Sequence, residues 1–536
     1  MVPTGVDHFK RLLLGQRKTS ARRAPRFLAF RSSSTFILTT VCIAIFTDIC
    51  LYGIIVPVIP FALTSRAGIS EDSVQTWNAI LLACYTIAMF IGSPVVGIYA
   101  DHTSSRRRPL LIGLFALAGS TILLCLGRTI ALLILGRILQ GASAAVVWTV
   151  GLALVADTVP DNIGQAMGYS GLAMSLGLLV SPAIGGAVFA GAGYYAVYHV
   201  AFGCIFLDII LRLILVEKKV ARQWIDGEEE SDPEPGAADA TPANRPPADE
   251  GDVSGTTLSD KGVGDMVQHS RAHTTSHAVP PMASSVIESR QTAKYPKLRL
   301  LKSRRILAAN FGIIIQAGVM ASWDTVLPLF VKSTFHWSST AAGLIFFCIF
   351  IPSFTSPMVG WLSDRYGARW PSFAGFVASI PFLGCLRFVT EDTIGHKVLL
   401  GALLALMGLT LTFSNMPLMA EITYAIEAED AKNPGIFGHK GVYGLAYGLF
   451  CTAFALGGSI GSLMSGYIMA GAGWNTLTWA LAIWMAGGAV VVASGVGGKP
   501  ASGNKNLRKH EEASAVSQAQ KQAVSGDMGR TEMSMA

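Results

Sequence analysis

Charged residues are scarce in this chain. Only 14% of its 536 residues are Asp, Glu, Lys or Arg, whereas a soluble domain averages about 25%. This shortage argues against a soluble enzyme, a disordered scaffold and a nucleic-acid-binding protein, although the net charge of +7 alone would suit the last class. Hydrophobic residues, at 51%, take the place of the charged ones.

The sequence also lacks the motifs of common catalytic and energy-using sites. It contains no Walker loop, dinucleotide fingerprint, hydrolase nucleophile elbow or metal cluster. Its eight cysteines lie within apolar stretches, so we interpret them as packing residues rather than as disulfides or zinc ligands. We therefore expect no enzymatic activity, no metal and no cofactor, and an ion gradient remains as the energy source for any uphill process.

Long apolar runs are abundant. A helix needs about 20 mostly apolar residues to cross the hydrocarbon of a bilayer, and six such runs lie on each side of a polar central segment. They begin near Phe36, Trp77, Leu110, Ile130, Gly164, Tyr194, Ile306, Ala341, Ser372, Val398, Val442 and Asn475. The prediction is an all-α membrane protein with twelve transmembrane helices.

Composition divides the chain into five regions. We predict a basic N-terminal arm over 1–35, six-helix halves over 36–216 and 305–496, a linker over 217–304 and a tail over 497–536. The linker and the tail have too few large apolar residues to bury a core, so both are predicted to be disordered.

Lys and Arg concentrate in the arm, the loop after the second span, the end of the linker and the tail. Because cytoplasmic loops carry the excess of basic residues, both termini are predicted to be cytoplasmic. The Arg-rich arm could instead be a mitochondrial presequence. We expect a multi-pass protein of the cell membrane, with a vacuolar or vesicular membrane as the alternative.

Two motifs recur between the halves. Gly97-Ile-Tyr-Ala-Asp101 corresponds to Gly360-Trp-Leu-Ser-Asp364, and the glycine-rich stretch over 176–193 corresponds to that over 457–473. The repeats predict two pseudo-symmetric halves, which is the architecture of secondary transporters, with a binding site at the midplane and one half rocking against the other.

The charged loop after the second span, with its copy after the eighth, is a candidate gate. Glycine lets two helices approach each other, and Asp and Arg can form a charge network that latches the cytoplasmic side. The alternative is a simple positive-inside loop, but orientation requires only Lys and Arg. The candidate gate residues are Gly97, Asp101, Arg106, Arg107, Gly360, Asp364 and Arg365.

The fifth span carries small residues at helical spacing with a proline between them. Small residues let helix backbones meet, and proline bends a helix. We expect this span to form the interface between the rocking halves, with ordinary glycine-rich packing as the alternative. The residues of this motif are Gly168, Gly177, Ser181, Pro182, Gly185 and Gly186.

Asp48 is the most informative single residue. At about 1.5 Å per residue it lies about 18 Å from Phe36, close to the middle of a hydrocarbon core about 30 Å thick. A carboxylate there must pair, take up a proton or face water. We interpret Asp48, with Tyr52 one turn further on, as a proton or substrate site. A structural ion pair with Arg137 is a compatible alternative.

Other polar residues within the apolar runs are candidates for the same site. Arg137 lies about two turns inside the fourth span, where a cation is functional by default unless it snorkels to the interface. Its neighbour Gln140 favours a packed interior. Asp324, expected nearer the outer surface, is either a vestibule group or an interfacial acid. Asn415 in the tenth span is a weaker candidate.

These residues resemble the major facilitator superfamily over about 36–216 and 305–496. The loop that contains Asp101 resembles the family signature between helices 2 and 3, and the Arg137 segment resembles the helix 4 signature, whose Arg is implicated in proton coupling. The fifth span resembles the antiporter signature. Within the superfamily the chain is similar to drug:proton antiporters and vesicular amine transporters, in which the Asp that corresponds to Asp48 takes part in amine recognition. The linker and tail look like those of fungal metabolite and toxin exporters.

The resemblance implies a monomeric transporter in the lipid bilayer, with protons and a small molecule as partners and no nucleic acid. It would export a secondary metabolite, toxin or drug in exchange for protons by alternating access. The alternatives are a proton-coupled uptake symporter for an organic acid or vitamin and a non-transporting membrane sensor. Intact Asp48 and Arg137 argue against the sensor.

Deletion of residues 225–290 tests the predicted linker. A disordered segment makes no buried contacts, so the shortened protein should insert correctly and keep most of its flux per inserted molecule. Loss of transport in a correctly inserted deletion protein would contradict the prediction.

Overall fold

A computed structural model describes residues 27–55, 58–103, 105–221, 224, 300–337, 339–433, 436–437 and 441–497. These residues form helices and no β strand. Most of the basic arm, nearly all of the predicted linker and the tail lie outside the described residues, so the disorder predicted for the linker and tail stays a prediction.

The first half contains six long helices, and each begins within six residues of its predicted start. The first helix is followed by a short helix, Ile59–Ser65, and a one-turn helix, Leu28–Arg31, precedes it. The six are α1 (Ser34–Ile55), α2 (Glu71–His102), α3 (Arg107–Leu126), α4 (Ile130–Thr158), α5 (Ile163–Ala192) and α6 (Tyr194–Ile214).

The second half repeats this order. Its last long helix, Tyr443–Gly495, is interrupted at Gly473, whose φ of 76° is not helical, and we treat its two parts as separate helices. The six are α7 (Arg304–Phe335), α8 (Ser356–Tyr366), α9 (Arg369–Leu386), α10 (Ile394–Lys432), α11 (443–472) and α12 (474–495).

Ten helices of the described residues are long and apolar enough to cross a membrane. One of these ten is Tyr443–Gly495, which provides two spans because it breaks at Gly473. The 18-residue α9 is not among the ten. With these two additions, twelve segments occupy the predicted positions, and the all-helical membrane fold is confirmed.

The eighth span is not the single helix that the apolar run predicts. It consists of Ser339–Leu344, Phe346–Phe350, a 3₁₀ turn over Ile351–Thr355 and then α8. Pro352 and Pro357 explain the irregularity, because proline lacks a backbone N–H and its ring collides with the carbonyl of the residue four positions earlier.

The two halves meet closely along two helix pairs at the end that is predicted to be cytoplasmic. Gly97 of α2 lies against Gly444 of α11, and Gly360 of α8 lies against Gly164 of α5. A Cβ atom at any of these four positions would clash with the carbonyl oxygen of the facing glycine. The missing side chains therefore allow backbone-to-backbone contact between the halves.

Gly164→Ala tests this contact. Its methyl group would collide with the Gly360 carbonyl, so we expect the facing ends of α5 and α8 to separate. The measurement is the distance between spin labels at the exposed positions 161 and 365 in a background without native cysteines, which should shift to longer values. Gly186→Ala is the matched control on α5, because nothing lies within 4 Å of its Cβ position. Unchanged distances in Gly164→Ala would contradict the interpretation.

Candidate functional site

Asp101 joins the halves at the end of α2. Its carboxylate accepts hydrogen bonds from the backbone N–H groups of Gly444 at 2.8 Å and Leu445 at 2.9 Å, the second and third residues of α11. These N–H groups have no partner inside the helix and carry partial positive charge, so an acid stabilises them. Val442, which precedes α11, provides no side-chain cap. The opposite half therefore caps this helix.

Asp364 makes the equivalent contact at the end of α8. Its carboxylate accepts hydrogen bonds from the backbone N–H groups of Gly164 at 2.7 Å and Gln165 at 2.9 Å, again the second and third residues of a helix, here α5. The hydroxyl of Tyr424 on α10 donates a third bond at 2.6 Å. We call the helix caps made by Asp101 and Asp364 the two latches.

Arg106 anchors the first latch within its own half. Its Nη1 donates to Asp101 and its Nε donates to Asp157 at the end of α4, both at 3.1 Å. Burial opposes the charge of Arg106, but the two carboxylates outweigh it and raise the pKa of the guanidinium. Asp157 is therefore a latch residue that the sequence analysis missed. Its signal in the sequence is an acid in the last turn of α4, a helix with only one other charged residue, Arg137.

Two predicted gate residues lie outside the latches. Arg107 donates its Nε and Nη2 to the carbonyl oxygens of Arg212 at 3.1 Å and Leu213 at 2.6 Å, so it ties α3 to α6 within one half. Arg365 is exposed, forms no ion pair with a described residue and lies over two aromatic rings of its own helix. In this conformation neither arginine contacts a latch, because each has a nearer partner on its own side, and their role in the gate network stays a prediction.

The small residues of α5 have two different partners. A Cβ atom at Gly168 would clash with the carbonyl of Ser356, which begins α8 in the opposite half. Gly186 has no neighbour within 4 Å of its Cβ position, and Pro182 lies inside the helix. The remaining motif residues pack on α1 of the same half, namely Gly177, Ser181 and Gly185. In this structure the contacts between the halves lie along the first part of α5, whereas the part from Gly177 onward packs on α1. The role of α5 in the rocking of the halves stays a prediction.

Asp48 belongs to α1, contacts α4 and is 1% exposed. Its Oδ2 accepts a hydrogen bond from Nε1 of Trp148 at 3.2 Å, whereas its Oδ1 has no partner among the described residues. The ion pair with Arg137, the structural alternative, is absent from the described structure. An unpartnered carboxylate oxygen inside protein is costly, so the site favours a bound proton or a polar ligand group.

Arg137 is fully buried on α4 and has no acidic partner among the described residues. Its Nη1 donates to Oε1 of Gln140 at 2.8 Å, and its Nε and Nη2 have no partner there. Its guanidinium carbon lies 5.6 Å from the centroid of the Tyr52 ring, which packs against Tyr85 at 4.9 Å. The aromatic faces partly offset the charge, and complete burial excludes snorkelling.

Asp324 on α7 is exposed in this structure. It interacts electrostatically with Tyr52 on α1, which belongs to the opposite half. It forms no hydrogen bond or ion pair with a described residue. Asn415 on α10 is 4% exposed, and its side-chain oxygen is unpartnered among the described residues.

Three charged residues of the spanning helices therefore lack an oppositely charged partner among the described residues. They are a buried acid on α1, an exposed acid on α7 and a buried cation on α4. Such groups can bind protons and the polar groups of a small molecule, because either relieves an uncompensated charge. Tyr85 was not among the site residues proposed from the sequence. A tyrosine in an apolar span gives no sign of which face it occupies.

The Major Facilitator Superfamily model matches residues 41–437 and 313–526. An uncharacterized MFS-type transporter of Schizosaccharomyces pombe is 33% identical over 444 residues, which are 82% of this chain and 90% of the yeast protein. The vesicular acetylcholine transporter of Torpedo marmorata is 31% identical over 229 residues, which are 37% of this chain and 44% of that protein.

The fold also matches a solved structure. The crystal structure of the human organic anion transporter MFSD10 (TETRAN) aligns with a TM-score of 0.58 and 15% identity over 86% of this chain and 99% of that chain. At this identity the likeness shows the fold alone. Together, the family match, the relatives and the helical bundle identify a multi-pass membrane transporter and not an enzyme. The chain belongs to the Major Facilitator Superfamily.

Proposed function

We propose that the protein exports a small organic compound, such as a secondary metabolite, toxin or drug, in exchange for protons. One observation carries the proposal, namely three ionisable groups on the spanning helices that have no oppositely charged partner among the described residues. Asp48 keeps a carboxylate oxygen without a partner among the described residues, Asp324 is exposed and has no partner there, and Arg137 is a fully buried cation.

Asp48 is the proposed proton carrier. An ionised carboxylate in a low-dielectric interior is costly, and either a proton or the cationic group of a ligand removes that cost. The two therefore compete for the same charge. If Asp48 must bind either a proton or the compound in each conformation, the carrier exchanges the two across the membrane. Outward transport of the compound is then coupled to inward flow of protons.

The latches support alternating access. In this conformation both lie closed at the end that is predicted to be cytoplasmic, while Asp324, expected nearer the outer surface, is exposed. For the opposite side to open, Asp101 and Asp364 must leave the starts of α11 and α5. Water then replaces the lost hydrogen bonds, so the cost of opening is moderate rather than prohibitive.

Arg137 favours a second candidate, proton-coupled uptake of an organic acid. A buried guanidinium without an acidic partner is a suitable counter-charge for a carboxylate of the cargo. The direction of flux separates the candidates. In sealed vesicles with an imposed pH gradient, an exporter moves its compound against the proton flow and a symporter moves it with the proton flow.

The cell membrane is the proposed location, with a vacuolar or vesicular membrane as the alternative, and we propose a monomer. Support for a vesicular membrane comes from the partial likeness to a vesicular acetylcholine transporter. Fluorescence imaging of a tagged full-length protein distinguishes these membranes.

Asp48→Asn tests the coupling role. The amide keeps the shape and can still accept a bond from Trp148, but it cannot carry a proton. We expect accumulation driven by a pH gradient to fall to the level of protein-free vesicles, while folded protein remains in the membrane. Asp161→Asn, at an exposed position, is the matched control and should transport normally. Full uphill transport by Asp48→Asn would refute its role.

Asp364→Ala tests the latches. Loss of the cap should shift the balance toward the open cytoplasmic side by about 1–2 kcal/mol, or about tenfold. The measurement is the rate at which a cytoplasmic thiol reagent modifies a cysteine placed at Met416, a buried position on α10 that faces Gly171 of α5. Tyr424→Phe removes one of the three bonds and should have a smaller effect. An unchanged rate in Asp364→Ala would mean that this contact does not hold the gate.

A further inference from the structure

The Asp48 carboxylate accepts one hydrogen bond from the described residues, and the donor is Trp148 of α4. The indole Nε1 donates to Oδ2 at 3.2 Å, whereas Oδ1 has no partner among those residues. Trp148 is 7% exposed and Asp48 is 1% exposed, so the bond lies inside the protein. The two oxygens of this carboxylate are therefore in different environments.

Close contact between α1 and α4 places the indole. A Cβ atom at Gly151, one turn after Trp148, would lie 3.2 Å from the Val41 side chain on α1. Asp48 follows Val41 on α1, whereas Trp148 precedes Gly151 on α4, so the two helices run antiparallel here. Helical side chains lean toward the N-terminus of their own helix, which on α4 is the direction of Asp48. Both residues belong to the first half, so the bond can persist while the halves separate.

The chemistry of the indole determines which oxygen takes up a proton. An indole N–H can donate a hydrogen bond but cannot accept one. Trp148 can therefore bind Oδ2 only while that oxygen carries no proton, and a proton taken up by Asp48 must attach to Oδ1. A hydrogen bond to an ionised acceptor is also roughly twice as strong as a bond between neutral groups. The indole therefore stabilises the ionised carboxylate more than the protonated one.

The other titratable groups near Asp48 do not replace this bond. Asp208 and Arg212 of α6 act on it electrostatically, but they pair with each other at 2.6 Å, so their charges largely cancel. Tyr85 of α2 and Tyr52 of α1 are phenols, which are uncharged near neutral pH, and neither forms a hydrogen bond with a described residue. The helix α5, which also packs on α1, carries no Asp, Glu, Lys, Arg or His.

We propose that Trp148 is the positioning residue that lets Asp48 release its proton, by holding Oδ2 and leaving Oδ1 as the oxygen that binds and releases it. The inference rests on the proposed role of Asp48 as proton carrier. A carrier must give up its proton as well as take it up, and a buried carboxylate without any hydrogen bond would stay protonated because its ionised form is too costly. The indole bond lowers that cost at the moment of release.

The test measures the pH at which Asp48 loses its proton, and it needs no transported compound. The probe is the infrared C=O stretching band of a protonated carboxyl group, followed during pH titration of the purified full-length protein in nanodiscs. The band of Asp48 is the one that is missing from Asp48→Asn. Trp148→Phe keeps an aromatic ring but loses the donor, so the midpoint should move up by at least about one pH unit.

Trp474→Phe is the matched control in the other half. Trp474 is 8% exposed, and its Nε1 donates to the backbone carbonyl of Leu386 at 2.9 Å. This variant loses the same ring volume and one indole hydrogen bond, but that bond does not involve a carboxylate. The midpoint of Asp48 should therefore stay at the parent value.

A midpoint that rises in Trp148→Phe and stays unchanged in Trp474→Phe would support the inference. Equal midpoints in the parent and Trp148→Phe, or an equal rise in both variants, would overturn it and leave Asp48 as the proton carrier. If the Asp48 band does not titrate in the parent, the proposed function fails and the inference fails with it. Should Trp148→Phe not fold, Trp148→Met, whose flexible side chain fills space without a donor, takes its place.

Discussion

Two aspartates that cap helices of the opposite half are the interaction on which the closed side of the bundle depends. An Asp side chain is short, so it reaches a backbone N–H only if the helix that carries it lies almost in contact with its target. Gly97 and Gly360, each one turn before its aspartate, provide that contact. Glycine and aspartate therefore act together, and neither alone would hold the halves. Since the bonds are made to backbone groups in the first turn of a helix, water can replace them when the halves separate.

Polar groups in the interior fall into two kinds. Asp208 and Arg212 of α6 are buried, but they pair with each other at 2.6 and 2.9 Å, and Arg212 also donates to a backbone carbonyl. Such a pair is satisfied by its own helix and needs no ligand. Asp48 and Arg137 keep unpartnered atoms at similar burial. Burial alone therefore does not distinguish a charged residue with a structural role from one with a functional role. The presence or absence of hydrogen-bond partners does.

The fifth helix connects the latch to the rest of its half. Asp364 caps its first turn, Gly168 in its middle contacts α8, and its later part packs on α1 from Gly177 onward. A movement of the opposite half is therefore transmitted along α5 to α1, the helix that carries Asp48.

The sequence by itself determined the membrane-embedded helical fold, the two repeated halves and the candidate acids, because apolar length and a charge within an apolar run are local properties with few physical solutions. It predicted Asp101 and Asp364 as gate residues from their repeated motif. It could not reveal that both cap helices about 200 to 340 residues away in the chain, or that Arg107 and Arg365 stay outside the latches. It also could not reveal that Asp48 pairs with Trp148 rather than with Arg137. Only the tertiary structure decided these points, because helical periodicity gives the spacing of side chains along one helix but not which helix lies opposite.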